Sequence, residues 1–390
     1  MLAVKLAFRN LIGAGLRTWL NVIVLSLSFV VIIWNKGLLE GWNRQARHDT
    51  IEWDYGGGQY WHQEYDRYDP FTISDSHGKL PDPLLKEVEE GKLTPILLSQ
   101  ATIYPDGRMQ SIVLKGIDPN QNIIQIPANM LKTEIEGIPA IIGTRMARNN
   151  RLQMGDYVTV RWRDVNGTFD AAEAKIVGIY KTDVPATDNG QMWIPLKKLR
   201  TMLQMPGEAT ILISEKEYKV PAKVEGWNFK NHDFLLADID QIIEQKSVGG
   251  SIMYMILMSL ALLAIFDTQV LSIFRRQKEI GTDIALGMTR WQVVRLFTVE
   301  GAMHAVLAAL VGALYGIPLL SFQAIRGFSI PQGYDDYGLA IADKIYPVYS
   351  LKLIIMTIVI VLITVTVVSF LPARRITKMN PTDAIRGKIQ

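Results

Sequence analysis

The chain has 390 residues, with 41 Lys or Arg against 38 Asp or Glu and a formal charge of +3. So even a balance gives no ground for a nucleic-acid partner. There is no cysteine, which excludes disulfides, thiol chemistry and zinc–thiolate sites. The length calls for more than one domain, and the apolar residues concentrate in four blocks.

In chain order, residues 1–18 interleave Leu2, Leu6, Leu11 and Ile12 with Lys5, Arg9 and Arg17. That pattern predicts an amphipathic helix in the inner membrane interface. The first block, WLNVIVLSLSFVVIIW, reaches spanning length when it runs on to residue 39, with Lys36 snorkelling. No small-x-small cleavage site follows it, so it reads as an uncleaved anchor over residues 19–39.

Residues 40–248 form a long polar segment that opens tyrosine-rich and breaks at a triple glycine. LPDPLLKEVEEGKL predicts a short helix. ILLSQATIYPDGRMQSIVLKGID predicts two strands around a PDG turn, and DYVTVRWRDVNGTFDAAEAKIVGIYK two more around Asn166-Gly167. AIIGTRMARNNRLQMGD reads as strand, helix and turn, IPLKKLRTMLQM as a helix and EATILISEK as a strand. The segment is therefore α+β, and ADIDQIIEQKSVGGSIMYM continues as a helix into the second block.

Residues 249–274 are the second predicted span and 298–320 the third, with a charged stretch, 275–297, between them. After a polar loop over 321–350, LKLIIMTIVIVLITVTVVSFL is the fourth span, over 351–371, and 372–390 form a basic tail. The short flanks at 1–18, 275–297 and 372–390 hold about 13 Lys/Arg against about three acids. The long segment holds about 24 against about 30. Basic flanks stay inside, which places both termini in the cytoplasm and the α+β segment outside. The fold class is thus an α-helical membrane protein with four transmembrane helices and a large α+β extracytoplasmic domain between helices 1 and 2.

A phosphate loop, an HExxH and a GxSxG are all missing, so no constellation supports an enzyme. The five histidines match no metal-ligand spacing. Asp267, Glu300 and His304 are the ionisable residues inside spans. Interfacial ion pairing accounts for both Asp267, about two turns from Arg275, and Glu300, close to the inner rim; the alternative is a proton relay through Glu300 and His304, which share a helix face. Ala308, Gly312 and Gly316 recur at a four-residue spacing that lets helices approach closely. Met253, Met255 and Met258, with Phe29 and Ile33 of the first span, are candidate cargo contacts, methionine adapting to varied apolar shapes.

The stretch 275–297 carries an apolar face of Ile280, Ile284, Leu286, Val293, Val294 and Phe297, and Gly281 and Gly287 break it into short helical pieces. A short helix fixed to two spans is a lever. EIGTDIALGMTRWQVVRLFTVEGA, 279–302, resembles the signature of the FtsX-like and MacB-like ABC transporter permeases, with Glu279, Ile280, Gly281, Ala285, Gly287, Phe297 and Glu300 at matching positions. LPARRITKMNPTDAIR, 371–386, resembles the ending of that family, and LAFRNL its N-terminus. VLKGIDP, IIGTRMARNNRLQMGDYVTV and MWIPLKKLRTML resemble the lipoprotein-releasing members, which have a two-lobed outer domain.

The resemblance implies a permease subunit in the bacterial inner membrane, without cofactor of its own, whose separate ATPase dimer uses ATP and magnesium. It implies a second permease subunit, either the same chain or a homologue, and an amphipathic cargo such as a lipoprotein. It makes Glu279, Gly281, Ala285, Leu286, Gly287, Thr289 and Arg290 the ATPase-coupling residues. The alternative within the family is a signalling subunit that activates an extracytoplasmic cell-wall hydrolase. Asp283 and Met288 depart from the family pattern, and the tight turn at Asn166-Gly167 stands where a carrier-recruiting member has a longer, proline-containing hook.

Overall fold

A computed structural model describes residues 16–378, apart from 134, 183, 221–223 and 330–343. The predicted helix at 1–18 lies largely outside those residues, as do most of the basic tail and the centre of the loop at 321–350. The chain divides into two compact units: residues 1–42, 242–328 and 346–390, and residues 43–241 with 329–345.

The first unit is built on four helices long and apolar enough to cross a membrane: α1 (Leu16–Thr50), α5 (Ala237–Arg275), α7 (Arg290–Arg326) and α8 (Leu351–Ala373). Val22, Leu25 and Phe29 of α1 pack with Ala261 and Ile265 of α5, Ala305 and Ala308 of α7, and Val361 and Val365 of α8. Outward-facing Leu260, Leu263, Leu310, Leu314, Ile363 and Val367 stay exposed, as lipid-facing positions do.

Helix α1 continues well past residue 39, and its glycines do not end it. A Cβ on Gly41 would fall 2.0 Å from the Tyr346 carbonyl oxygen, and one on Gly37 would fall 2.3 Å from the Tyr349 ring. These glycines serve close approach. The helical path ends at the triple glycine, where Gly56 has φ +55° and donates its N–H to the Ile51 carbonyl.

The second unit is α+β. Its strands are β1 (Gln59–His62), β2 (Leu93–Ile103), β3 (Gln110–Ile117), β4 (Ile138–Gly143), β5 (Tyr157–Arg163), β6 (Phe169–Tyr180), β7 (Gln191–Pro195), β8 (Ile211–Ser214) and β9 (Trp227–Lys230). Helices α2 (Asp82–Glu89), α3 (Thr144–Asn150) and α4 (Leu196–Leu203) complete it. The strand order is β9-β1-β8-β2-β3-β7-β4-β6-β5, and β5 also pairs with β2, closing six strands into a ring. β2 manages both memberships by length: residues 93–96 pair with β8, while residues 101–103 pair with β5.

Two larger cores use the two faces of these strands, and a smaller one gathers Tyr60, Leu84, Leu93, Leu212 and Trp227. Of the larger two, Leu97, Leu114, Ala140, Ile142, Val160, Met192 and Ile194 belong to one, and Ile96, Leu98, Ile117, Ile141, Trp193 and Ile213 to the other. Successive residues of one strand point to opposite faces, so a strand buried on both reads as an unbroken apolar run such as PILL or AIIG. In the second core, Trp193 donates its indole N–H to Tyr180 at 3.1 Å, and the Tyr180 hydroxyl donates to the Thr187 carbonyl at 2.5 Å. Burial raises the Tyr180 pKa. Beside them Arg145 meets Asp188 at 2.9 Å, both nearly sealed from solvent. Burial raises the Asp188 pKa although the arginine opposes the rise.

Both expected turns are present. Pro105–Gly107 joins β2 to β3. At the β5–β6 hairpin the Asp164 carboxylate accepts the N–H groups of Asn166 and Thr168, and Gly167 takes φ +84°. The last residues of α1 and the first of α5 are clasped by Arg47 and Asp240, two hydrogen bonds of 2.5 and 2.6 Å within this unit.

Candidate functional site

The site is the joint between α5 and α7. Helix α5 stops at Arg275, and a separate nine-residue helix, α6 (Gln277–Ala285), follows. The chain turns through Leu286–Met288, and α7 begins at Arg290. Of the two glycines expected to break this stretch, only Gly287 does, at φ +105°, where an L side chain is strained. Gly281 stays inside α6 and is buried, so its part is packing and it offers no surface to a partner.

The start of α7 is fixed by a capping box. The Thr289 hydroxyl accepts the Gln292 N–H at 3.3 Å, and the Gln292 side-chain oxygen accepts the Thr289 N–H at 2.7 Å. Two otherwise orphaned donors are thereby satisfied. Beneath the joint, Ile273, Ile280, Val293, Val294, Phe297, Ala373 and Ile376 form a small core, with Ile284 and Met288 against it.

Arg276 locks the joint electrostatically. Its guanidinium donates to both carboxylate oxygens of Glu300, at 3.1 and 2.9 Å, and to Glu279 at 2.7 Å, and lies 4.8 Å from the centre of the Phe297 ring. Burial of Glu300 is therefore compensated. The expected ion pairing holds for Glu300, with Arg276 as its partner. For Asp267 it fails: no ion pair to it occurs among the described residues, and it is exposed on α5. Eight residues of helix put it about 12 Å from Arg275, too far for a salt bridge.

The other expected coupling residues are at the surface. Glu279, Ala285, Leu286, Gly287, Thr289 and Arg290 are all exposed, and Arg290 donates to the Thr377 carbonyl at 3.0 Å, tying α7 to the segment after α8. Leu286 is 82% exposed at the tip of the turn and Trp291 is 61% exposed beside it, stacked on Phe370. Trp291 was not singled out from the sequence, although a tryptophan in a charged turn between spans is a signal. Arg276, the organiser of the joint, reads in sequence only as a basic flank.

The small residues of α7 face the other helices. Ala308 is fully buried; a Cβ on Gly312 would sit 3.4 Å from the Ser26 carbonyl, and one on Gly316 would sit 2.8 Å from a Val30 methyl. Gly301, missed in the sequence, is tighter: its Cβ would fall 2.2 Å from Ser369 Oγ and 3.2 Å from Gln269 Nε2. His304 Nδ1 faces the Glu300 backbone carbonyl at 3.2 Å.

The candidate cargo contacts divide. Phe29 and Ile33 are buried in the bundle, because they lie on the α1 face that packs against the other helices, and so do not line an open surface. Met258 is half-buried against the same core, while Met253 and Met255 are exposed on α5. Among the described residues no group of three or more His, Asp or Glu could hold a metal ion.

A model of the FtsX-like permease C-terminal domain matches residues 251–381. The chain is 21% identical over 326 residues to the lipoprotein-releasing system transmembrane protein LolC of Neisseria meningitidis serogroup B, covering 75% of this chain and 77% of that protein. It is 26% identical over 231 residues to the macrolide export ATP-binding/permease protein MacB of Agrobacterium fabrum, 54% of this chain but 33% of that one. Among solved structures, the extracellular domain of the noncanonic ABC-type transporter YknZ from Gram-positive bacteria aligns with 41% of this chain and 83% of its own, at 14% identity and a TM-score of 0.26, too low to establish a common fold.

Proposed function

We propose that this chain is an ABC transporter permease of the FtsX-like and MacB-like kind, on the family match over residues 251–381 and the likeness to LolC and MacB, and that it is the membrane subunit through which a separate ATPase drives work on an amphipathic cargo at the outer face of the inner membrane. The observation that carries this reading is the joint between α5 and α7. It projects Leu286 and Trp291 from a base fixed by the capping box, the Arg276–Glu300 pair and a private core. A partner gripping that projection moves two long helices together, because the joint has few ways to yield.

In this reading both termini and the joint are cytoplasmic, the α+β unit is outside, and a second permease subunit completes the transporter. Lipoprotein release is the reading favoured for cargo, on the likeness to LolC over three quarters of the chain. Met253 and Met255 are the cargo-facing candidates that remain open. The test is cross-linking from a photoreactive residue at position 286 in intact membranes. The expected product joins this chain to an ABC ATPase, and Leu286→Asp abolishes their co-purification while leaving the protein folded. Recovery of the ATPase with the Asp variant at normal yield would remove the joint as the coupling site.

A further inference from the structure

A groove of about 530 Å³ runs along the first unit between α1 and α7. Its walls are Leu27, Val31 and Trp34 of α1 and Tyr315, Leu319 and Phe322 of α7. The volume falls within the range of small-molecule sites, and the walls are apolar apart from the Tyr315 hydroxyl, which lies 3.3 Å from Ser26 Oγ. At the end where α7 terminates the chemistry changes: Gln323 and Arg326 line the mouth, and Trp34 meets Phe328 edge-on at 6.2 Å.

Arg326 is exposed and rests against the Phe322 ring at 5.4 Å, with no carboxylate partner among the described residues. An apolar slot that ends in a tryptophan and an exposed arginine has the polarity profile of half a bilayer, with tryptophan at headgroup level. A guanidinium presents several donors that match phosphate geometry. We propose that this groove is a binding site for one phospholipid with an anionic headgroup, its acyl chain along α1 and α7 and its phosphate on Arg326. Charge selects the occupant. The acyl chains of a lipid-modified protein carry no phosphate and would leave Arg326 unpaired, and a zwitterionic headgroup brings a cation beside the arginine.

The inference rests on the membrane placement of α1 and α7 and not on ATPase coupling, so a lipid-binding assay on the permease alone separates the two. The full-length chain, extracted in mild detergent, is incubated with equal amounts of isotopically distinct phosphatidylglycerol and phosphatidylethanolamine and analysed by native mass spectrometry. One retained phosphatidylglycerol per chain is expected, preferred by about tenfold, the scale of one charge-assisted contact. Arg326→Gln should bring the preference close to unity and Arg326→Lys should restore part of it. Leu319→Trp, at a position already 55% exposed, should fill the slot and reduce retention of both lipids. Undiminished phosphatidylglycerol preference in Arg326→Gln would overturn the proposal. So would efficient disulfide formation between copies carrying Leu319→Cys in native membranes, which would show the groove covered by a second chain.

Discussion

The α+β unit and the helical unit use apolar residues in opposite ways. In the strands, apolar side chains occupy both faces and end in two larger cores and a smaller one, while exposed positions such as Thr159, Arg161 and Arg163 are polar. In the helices many large apolar side chains, Leu314 and Ile363 among them, face outward, and Gly301, Ala308, Gly312 and Gly316 let the seams close tightly beside buried Leu25 and Phe29. Water drives the first arrangement, because burying a large apolar side chain is worth roughly 1.5–3 kcal/mol. Lipid tails give no such reward, so the second depends on close backbone approach and polar locks. Destabilising substitutions should therefore differ in kind between the units.

The largest effect is expected in the strands. Trp193→Ala empties the centre of the second core and removes the N–H that the Tyr180 hydroxyl accepts, costing about 3–5 kcal/mol. Limited proteolysis of the full chain should cut the α+β unit while the helical fragment persists; equal resistance of both would contradict the division. Next comes Arg276→Met, which leaves Glu300 buried without its cation and should cost about 3 kcal/mol. The double variant with Glu300→Leu should regain most of that loss in thermal unfolding in detergent, and purely additive losses would show that the pair is not the lock. Gly301→Val should cost about 1–3 kcal/mol by overpacking against Ser369, with proteolysis of the α+β unit unchanged. Smallest is Arg47→Ala, below about 1 kcal/mol for a half-exposed pair; a shift in unfolding midpoint as large as that of Arg276→Met would mean the clasp does more than a surface ion pair.

Much of this was legible in the sequence, and the reasons are physical. Strands, hairpins and short helices of the α+β unit follow from β-branched runs and from turn residues whose conformations few others adopt, such as Gly107 and Gly167. The spans follow from length and hydropathy, and the small-residue seam of α7 from spacing alone. What sequence could not give was partnership. Gly281 and Gly287 look alike as letters, but one lies in a helix and the other at φ +105°. Phe29 and Ile33 differ from open positions of α1 only by the azimuth the other helices choose. Glu300 finds Arg276 because that residue lies at the break between α5 and α6, which the sequence does not mark. The ring closure of β5 onto β2 is likewise a long-range pairing that no local pattern encodes.

The Arg47–Asp240 clasp has a consequence of another kind. The two ends of the 43–241 segment, which carries nearly all of the α+β unit, emerge side by side, held within the reach of one ion pair. A domain with adjacent ends is a cassette: it can be lengthened, shortened or exchanged for another fold at a single port, since only the spacing of the ends has to be kept. Evolution can therefore fit such a port with new recognition surfaces by insertion. A graft that respects the spacing at residues 47 and 240 is the corresponding route for an engineer.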